Sequence, residues 1–295
     1  GPAVGSAGTQ SQAFHLEWNG NAEDNVKVTL QNGTITSTAN SGVMMLVQNY
    51  CDLILDNMTL DGSNIGSGQY TSSNNCGNVV IRDTTIIAPT NGVAFDVCDY
   101  ASYTGVSVTV EGNSSIRGKV EVVNDNGDKN NASLSVKDGV FTTDVVGTSY
   151  EGATAPLTNY LAEDVTLVEN SDGTFAVEPL TAENAVASVG TGENVNYYKT
   201  VAEAVENANN GTVTLLQNAT FDTLPLSSGS VIVDLNGYTL TSVSGETSVI
   251  QKGANLTIQD SKGTGTLVYN GITDPAKAAF EVQVGSSSFV ERYPL

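Results

Sequence analysis

The hexads LQNGTI (30–35), LDNMTL (55–60), IRDTTI (81–86), VKDGVF (136–141), LQNATF (216–221) and LNGYTL (235–240) decide the fold of this chain. Each sets an apolar residue, a short polar turn, and a second apolar residue five positions on. A seven-residue variant, VEGNSSI (110–116), lies between the third and fourth. The starting residues Leu30, Leu55, Ile81, Val110 and Val136 are spaced by 25, 26, 29 and 26 residues. A near-constant interval of that length marks a solenoid of stacked repeats.

Alternating apolar residues lead into the hexads: Val26, Val28, Leu30; Leu53, Leu55; Val79, Ile81; Val106, Val108, Val110; Leu134, Val136. Period two means strand with one face buried. One coil cannot cover its own apolar face. Stacking coils about 4.8 Å apart lets each strand pair with its equivalent above and below. The fold class expected is therefore all-β, a right-handed parallel β-helix. A β-sandwich is the rival, but its strands recur at roughly 8–12 residues. Asn32, Asn57, Asp83 and Asp138 fall at one turn position, where stacked Asn amides can satisfy each other.

The pattern divides the chain into residues 1–24, a first module at 25–180 and a second at 181–295. Gly1-Pro2 reads as the scar of a protease site, so 1–24 are taken as a tag remnant and N-terminal cap, with His15 and Trp18 over the first coil. The repeat fades after about 145, and 146–163 are loop-like. VTLVENSDGTFAVEP (165–179) predicts a closing hairpin turning on Asp172-Gly173. AVASV (185–189) reads as a strand. YKTVAEAVENANNG (198–211) predicts a helix over 198–210. Thr200 and Glu203 form its capping box; Val201, Ala204, Val205 and Ala208 share one face; Asn210-Gly211 ends it. Such a helix plugs an open solenoid end, whose edge otherwise invites aggregation.

Of 295 residues, 39% are hydrophobic and the formal net charge is −21. That charge repels nucleic acid and anionic membranes. No run of 18 or more apolar residues spans a bilayer. Three cysteines are too few for a disulfide scaffold. Cys51, Cys76 and Cys98, at intervals of 25 and 22, read as thiols stacked at one buried corner. A disulfide between neighbours and a zinc site are the alternatives. His15, the one histidine, is far away in sequence, so no metal or cofactor is assigned.

No phosphate loop, nucleophile elbow or His/Cys pair is visible, and no catalytic residue is assigned. Arg82, beside Asp83 and near Asp56 on the previous coil, is the one lyase-type arrangement; the plainer reading is an ion pair on a solvated face. Asp52, Asp56, Asp96 and Asp99 would suit a glycosidase if stacking brought two together. NDNGDKNN (124–131) begins like a calcium loop, but Ser135 stands where the bidentate Glu belongs, so it reads as a turn. Tyr70, Tyr100 and Tyr103, in polar Gly/Ser-rich stretches, are the candidate binding residues, because Tyr offers large contact area at low entropic cost.

YYKTVAEAVENANNGTVTLLQNATF, VIVDLNGYTLTS and ANLTIQDSKGTGTLV resemble the pectin-lyase-like β-helix modules of adhesin-like cell-surface proteins of clostridia and other Firmicutes, and ENSDGTFAV resembles the hairpin that often separates them. The likeness covers most of 165–270. It implies extracellular, wall-attached display. The expected function is non-catalytic binding of a host protein, immunoglobulin being one candidate, or of a glycan. Loops 61–78, 96–105 and 146–163 are the expected contact regions, and the chain is expected to be a monomer. A carbohydrate-active enzyme (polysaccharide lyase or glycosidase) and a structural spacer are the alternatives.

Overall fold

In the computed structural model the apolar ends of the hexads at 30–35, 55–60, 81–86, 110–116 and 136–141 form two columns inside a parallel β-solenoid, whereas the hexad at 216–221 is out of register with that at 235–240, Ala219 pairing with Leu240. The structure describes residues 4–5, 11–17, 26–39, 42–99, 105–124, 131–149, 151–192, 194–243, 247–269 and 280–282. The chain folds as two units, Gly1–Glu178 and Pro179–Leu295.

In the first unit the ten-residue strands Lys27–Thr36 and Asp52–Asp61 pair in parallel, Leu30 against Leu55 and Ile35 against Leu60. The next coil continues this wall as two shorter strands, Gly77–Arg82 and Thr85–Ile87. Val106–Glu111 with Ser115–Arg117 follow, then Ala132–Val136 with Gly139–Phe141. One inward column thus reads Leu30, Leu55, Ile81, Val110, Val136; the other reads Ile35, Leu60, Ile86, Ile116, Phe141. From the second coil onward these residues are at most 1% exposed. The second wall is the sheet Ser11–Leu16, Met45–Asn49, Tyr70–Asn74, Val93–Asp99, Lys119–Asn124 and Val145–Gly147, in that spatial order. It contributes Val47, Phe95, Val120 and Val146 to the same core.

The hexad turns explain their own composition. Asn32, Asn57 and Asp83 have φ of 56°, 51° and 48°, and Gly112 takes the same place with 62°. Left-handed backbone is tolerated by Gly and, among other residues, best by Asn and Asp. The expected amide stacking is present: Asn57 Nδ2 donates to Asn32 Oδ1 at 2.9 Å. Asp83 instead accepts the Asn113 backbone N–H at 2.9 Å.

Antiparallel strands finish both ends of this unit. Val4–Gly5 lies against Ser11–Leu16. At the other end Thr154–Pro156 lies against Val145–Gly147, and Phe175–Pro179 against Gly139–Phe141. The expected hairpin exists, with Asn170 N–H donating to Thr174 O at 2.7 Å. The reading of 146–163 as a projecting loop is corrected. The segment folds back on the last coil, with a 3-10 turn at Leu157–Tyr160. Leu157 is 1% exposed, an apolar side chain that the open end of the stack takes up.

The second unit begins with Ala187–Thr191, antiparallel to both Asn194–Tyr198 and Thr212–Leu215. Parallel ladders then run Thr212–Leu215, Ser230–Asp234, Asn255–Gln259 and Ala219–Phe221, Thr239–Ser242, Thr266–Tyr269. The helix spans Val201–Asn207 with a complete capping box: Glu203 N–H donates to Thr200 Oγ1, and Thr200 N–H to Glu203 Oε2, at 3.1 and 3.2 Å. It is shorter than the expected 198–210 at both ends: Tyr198 closes the preceding strand and Thr200 is an extended N-cap, while Asn209 and Asn210 take left-handed φ of 45° and 67° beyond its last turn. Val201, Ala204 and Val205 are buried in this unit's own core. Among the described residues no helix is long and apolar enough to cross a membrane.

Candidate functional site

The second wall of the first unit carries a row of polar side chains. Parallel register aligns His15, Gln48, Ser73, Asp96 and Glu121 on successive strands. Side chains alternate along a strand. Because Val47, Phe95, Val97, Val120 and Val122 belong to the core, this row points the other way. Asp96 is nevertheless only 5% exposed. Its Oδ1 accepts the Asn74 backbone N–H at 2.8 Å and its Oδ2 the Ser73 hydroxyl at 3.1 Å. Glu121 is its register partner on the next strand. The Tyr70 hydroxyl donates to Glu121 Oε2 at 3.0 Å, so the phenol reaches from its own strand, past that of Asp96, to the one beyond.

Burial raises the Asp96 carboxyl to about 7, against the opposing hydrogen bonds from Asn74 and Ser73, and Glu121 adds to the rise. Burial likewise pushes the Tyr70 phenol well up, with Glu121 the second cause. The arrangement holds a proton on Asp96 near neutrality beside a second carboxylate that a phenol hydrogen bond already engages.

Of the expected binding residues, Tyr70 is therefore half-buried and bonded within the wall, while Tyr100 and Tyr103 lie outside the described residues. Trp18 and positions 125–130 of the calcium-like loop also lie outside them; Asn124 Oδ1 accepts the Ala132 N–H at 3.0 Å. His15 sits on a strand of the second wall, its Nε2 2.8 Å from Glu17 Oε2.

The four aspartates weighed for a glycosidase do not converge. Asp52 and Asp56 belong to the first wall and Asp96 and Asp99 to the second. Asp52 Oδ1 accepts the Asn78 N–H at 2.8 Å. Asp56 takes a two-pronged contact from Arg82, Nε to Oδ1 at 3.2 Å and Nη2 to Oδ2 at 3.1 Å. Arg82 Nη1 also lies 3.7 Å from Glu111 on the following coil. The Arg82 hydrogen bond holds Asp56 below the usual carboxylate range. Arg82 is thus the middle of a charge ladder, in keeping with the plainer reading. Glu121, the true register partner of Asp96, is absent from the residues that sequence reasoning singles out. It stands 25 residues after Asp96, which is the repeat interval, and that spacing is the signal that could have found it.

The cysteines need a correction too. All three are buried thiols with no disulfide among them, but they do not share one corner. Asn49 pairs with Asn74 and Asn74 with Val97. Counting two on from each gives Cys51, Cys76 and Asp99. Cys98 is one position short and lies inside the Val93–Asp99 strand, paired with Val123, whereas Cys51 and Cys76 lie in the bends after their strands. The interval of 22 after Cys76 is one less than the 23 from Asn74 to Val97 that sets the register here.

A groove of about 500 Å³ opens between the turn containing Gly42, Val43 and Met44 and the turn Ser63–Gln69 of the next coil. Among the described residues its lining has no charged side chain: Val43, Met44 and Ile65 are apolar, and Ser63, Asn64 and Gln69 are polar. The turn is held in shape. Asp61 Oδ1 accepts Ser63 N–H at 3.0 Å, Gly62 O accepts Ile65 N–H at 2.9 Å, and Asn64 Nδ2 donates to Ser37 O at 2.9 Å. A Cβ on Gly62 would fall 2.7 Å from Ile87 O, so this turn presses against the coil beyond.

Among the described residues no three His, Cys, Asp or Glu side chains are grouped to hold a metal ion. No family model, no curated protein and no solved structure matches this chain.

Proposed function

We propose that this chain is a non-catalytic binding region of an extracellular, wall-attached bacterial surface protein, taking a host protein or glycan on the first unit. The observation that carries this reading is the uncharged groove between the turns at 42–44 and 63–69. One side of it is a turn that the Asn64–Ser37 hydrogen bond ties to the previous coil, and binding residues are disproportionately found on such turns. The groove takes the place of the tyrosine patch as the leading contact surface. Two further points support it. Arg82 and Asp56 are spent on each other, and Asp96 lies beneath the surface with its oxygens engaged. The resemblance of 165–270 to adhesin-like β-helix modules supplies the extracellular setting.

The test is capture from host secretions by the whole chain, repeated with Met44→Asp and Gln69→Ala. Capture of one protein or glycan that falls at least tenfold in these variants supports the reading. Capture unchanged in both removes the groove, and no capture from any secretion favours a spacer.

One observation favours a second reading. Asp96 and Glu121 face each other on adjacent strands, with the Asp96 carboxyl raised to about 7, the poise of a general acid beside a carboxylate. Glycan turnover that disappears in Asp96→Asn and Glu121→Gln would make the chain a carbohydrate-active enzyme.

A further inference from the structure

We infer that Cys51 and Cys76 are a latent disulfide that staples the first coil to the second, and that Cys98 takes no part in it. The strands that precede the two cysteines run in parallel register, Val47 against Ser72, Gln48 against Ser73 and Asn49 against Asn74. Two residues further on, past the strand ends, this register sets Cys51 beside Cys76; the next strands pair Leu53 with Val79, so the two coils slip by one residue across the cysteines and Gly77. Register neighbours in a sheet lie about 4.8 Å apart, inside the roughly 4.4–6.8 Å that a disulfide spans between its two α-carbons.

The Asn49 side chain fixes this placement. Its Nδ2 donates to the carbonyl of Cys51 at 2.8 Å and to that of Cys76 at 3.4 Å. Its Oδ1 accepts the Cys51 backbone N–H at 3.1 Å and the Cys51 thiol at 3.3 Å. One amide thus clamps both cysteines. The coils also touch here: a Cβ on Gly77 would sit 2.5 Å from the carbonyl carbon and oxygen of Cys51. Cys98 lies within the Val93–Asp99 strand, paired with Val123, not in the bend that holds Cys51 and Cys76.

Once the coils are closed the thiols are inert. Cys51 and Cys76 are 0% and 1% exposed, and burial, Asp52 and the neighbouring Cys76 raise Cys51 to about 11. The nucleophile in disulfide exchange is the thiolate, so the bond forms while the second coil is still docking. A small-molecule disulfide such as oxidised glutathione is the oxidant. One cysteine thiolate attacks it and expels a glutathione thiolate, leaving a mixed disulfide. The second cysteine thiolate attacks the protein sulfur of that bond and expels the other. The two cysteines lose two electrons and two protons, and one oxidised glutathione becomes two glutathiones. The redox state met during folding is then sealed in by burial.

The experiment refolds the whole chain in an oxidised/reduced glutathione mixture and, separately, in excess reductant. Each sample is unfolded in guanidinium with N-ethylmaleimide, and its intact mass and peptide map are read. Expected for the oxidised sample is one maleimide, on Cys98, and a peptide joining Cys51 to Cys76; for the reduced sample, three maleimides. Cys98→Ser is expected to keep the bridge and take none after oxidation, and Cys76→Ser to take two. Three maleimides in both wild-type samples, or a bridge that includes Cys98, overturns the inference. Circular dichroism taken before unfolding separates these outcomes from failure to fold.

Discussion

At the scale of the residue, burial and charge contribute very unequally. Leu55 is fully buried in the hexad column, and truncating such a side chain removes transfer energy and leaves a cavity. Leu55→Ala is expected to cost about 2–5 kcal/mol in urea unfolding. Arg82 makes three ionic contacts, yet its side chain is 43% exposed, and such pairs are screened by water and salt. Arg82→Met is expected to cost far less than Leu55→Ala, and most of that small cost to disappear in high salt. Equal costs would mean that the ladder matters as much as the column. Asp96 has the opposite character. Between the ordinary aspartate range near 4 and about 7, the folded chain keeps a proton that the unfolded chain has released. Stability therefore falls as pH rises across that window and levels off above it. Asp96→Asn, which stays neutral and keeps an acceptor, is expected to flatten that stretch of the curve of unfolding midpoint against pH. A slope unchanged in the variant would assign the proton elsewhere.

At the scale of the element, the helix and the turns of the second unit are held by side chains that replace missing backbone partners. The capping box satisfies donors at the start of Val201–Asn207. Thr200→Ala is expected to lower stability by about 0.5–2 kcal/mol, read as faster hydrogen exchange in the helix and its buried neighbours. Asp260 works similarly in a loop: its carboxylate accepts the N–H groups of Gly237, Lys262 and Gly265. Those hydrogen bonds, led by the one from Gly265, hold it below the usual carboxylate range. A lowered carboxyl contributes stability above the ordinary aspartate value and loses it as pH falls towards the folded one. In an acid titration followed by NMR, the Gly237 and Gly265 amides are expected to shift together, with a midpoint below that of a free aspartate. Asp260→Asn should abolish the shared transition.

Much of this is legible in the chain. The hexads reveal the columns because an apolar residue in a solenoid has one way to be buried, and the same interval repeats that choice. The Asn57–Asn32 contact and the capping box follow from residue type and spacing. The groove does not, because Val43, Met44 and Ile65 lie between the hexads, where the repeat is silent. Nor does the cysteine column, since a shift of one residue turns a side chain to the other face. Tyr70 and Asp96 stand out by type, but their partner Glu121 is set by register alone.

At the scale of the molecule, the first unit is a stack in which each coil packs mainly on its neighbours, the Tyr70–Glu121 hydrogen bond reaching one coil further, so stability is expected to add up largely coil by coil. Leu30, Leu55 and Ile81 occupy one position in three successive coils. Deleting residues 52–76, one 25-residue coil that joins Cys51 to Gly77, should place Leu30 against Ile81. The shortened chain is expected to keep its β-sheet circular dichroism and melt at a lower temperature. Deleting 52–64, about half a coil, should abolish folding of that unit, because the inward residues of the next coil then miss the column. The shorter deletion removes less of the core, yet it alone breaks the period. A gene for such a wall can therefore gain or lose length by unequal recombination between repeats. Selection would see a change of reach while the interior stays the same, so the coil is the unit in which this molecule can be inherited, copied and dropped.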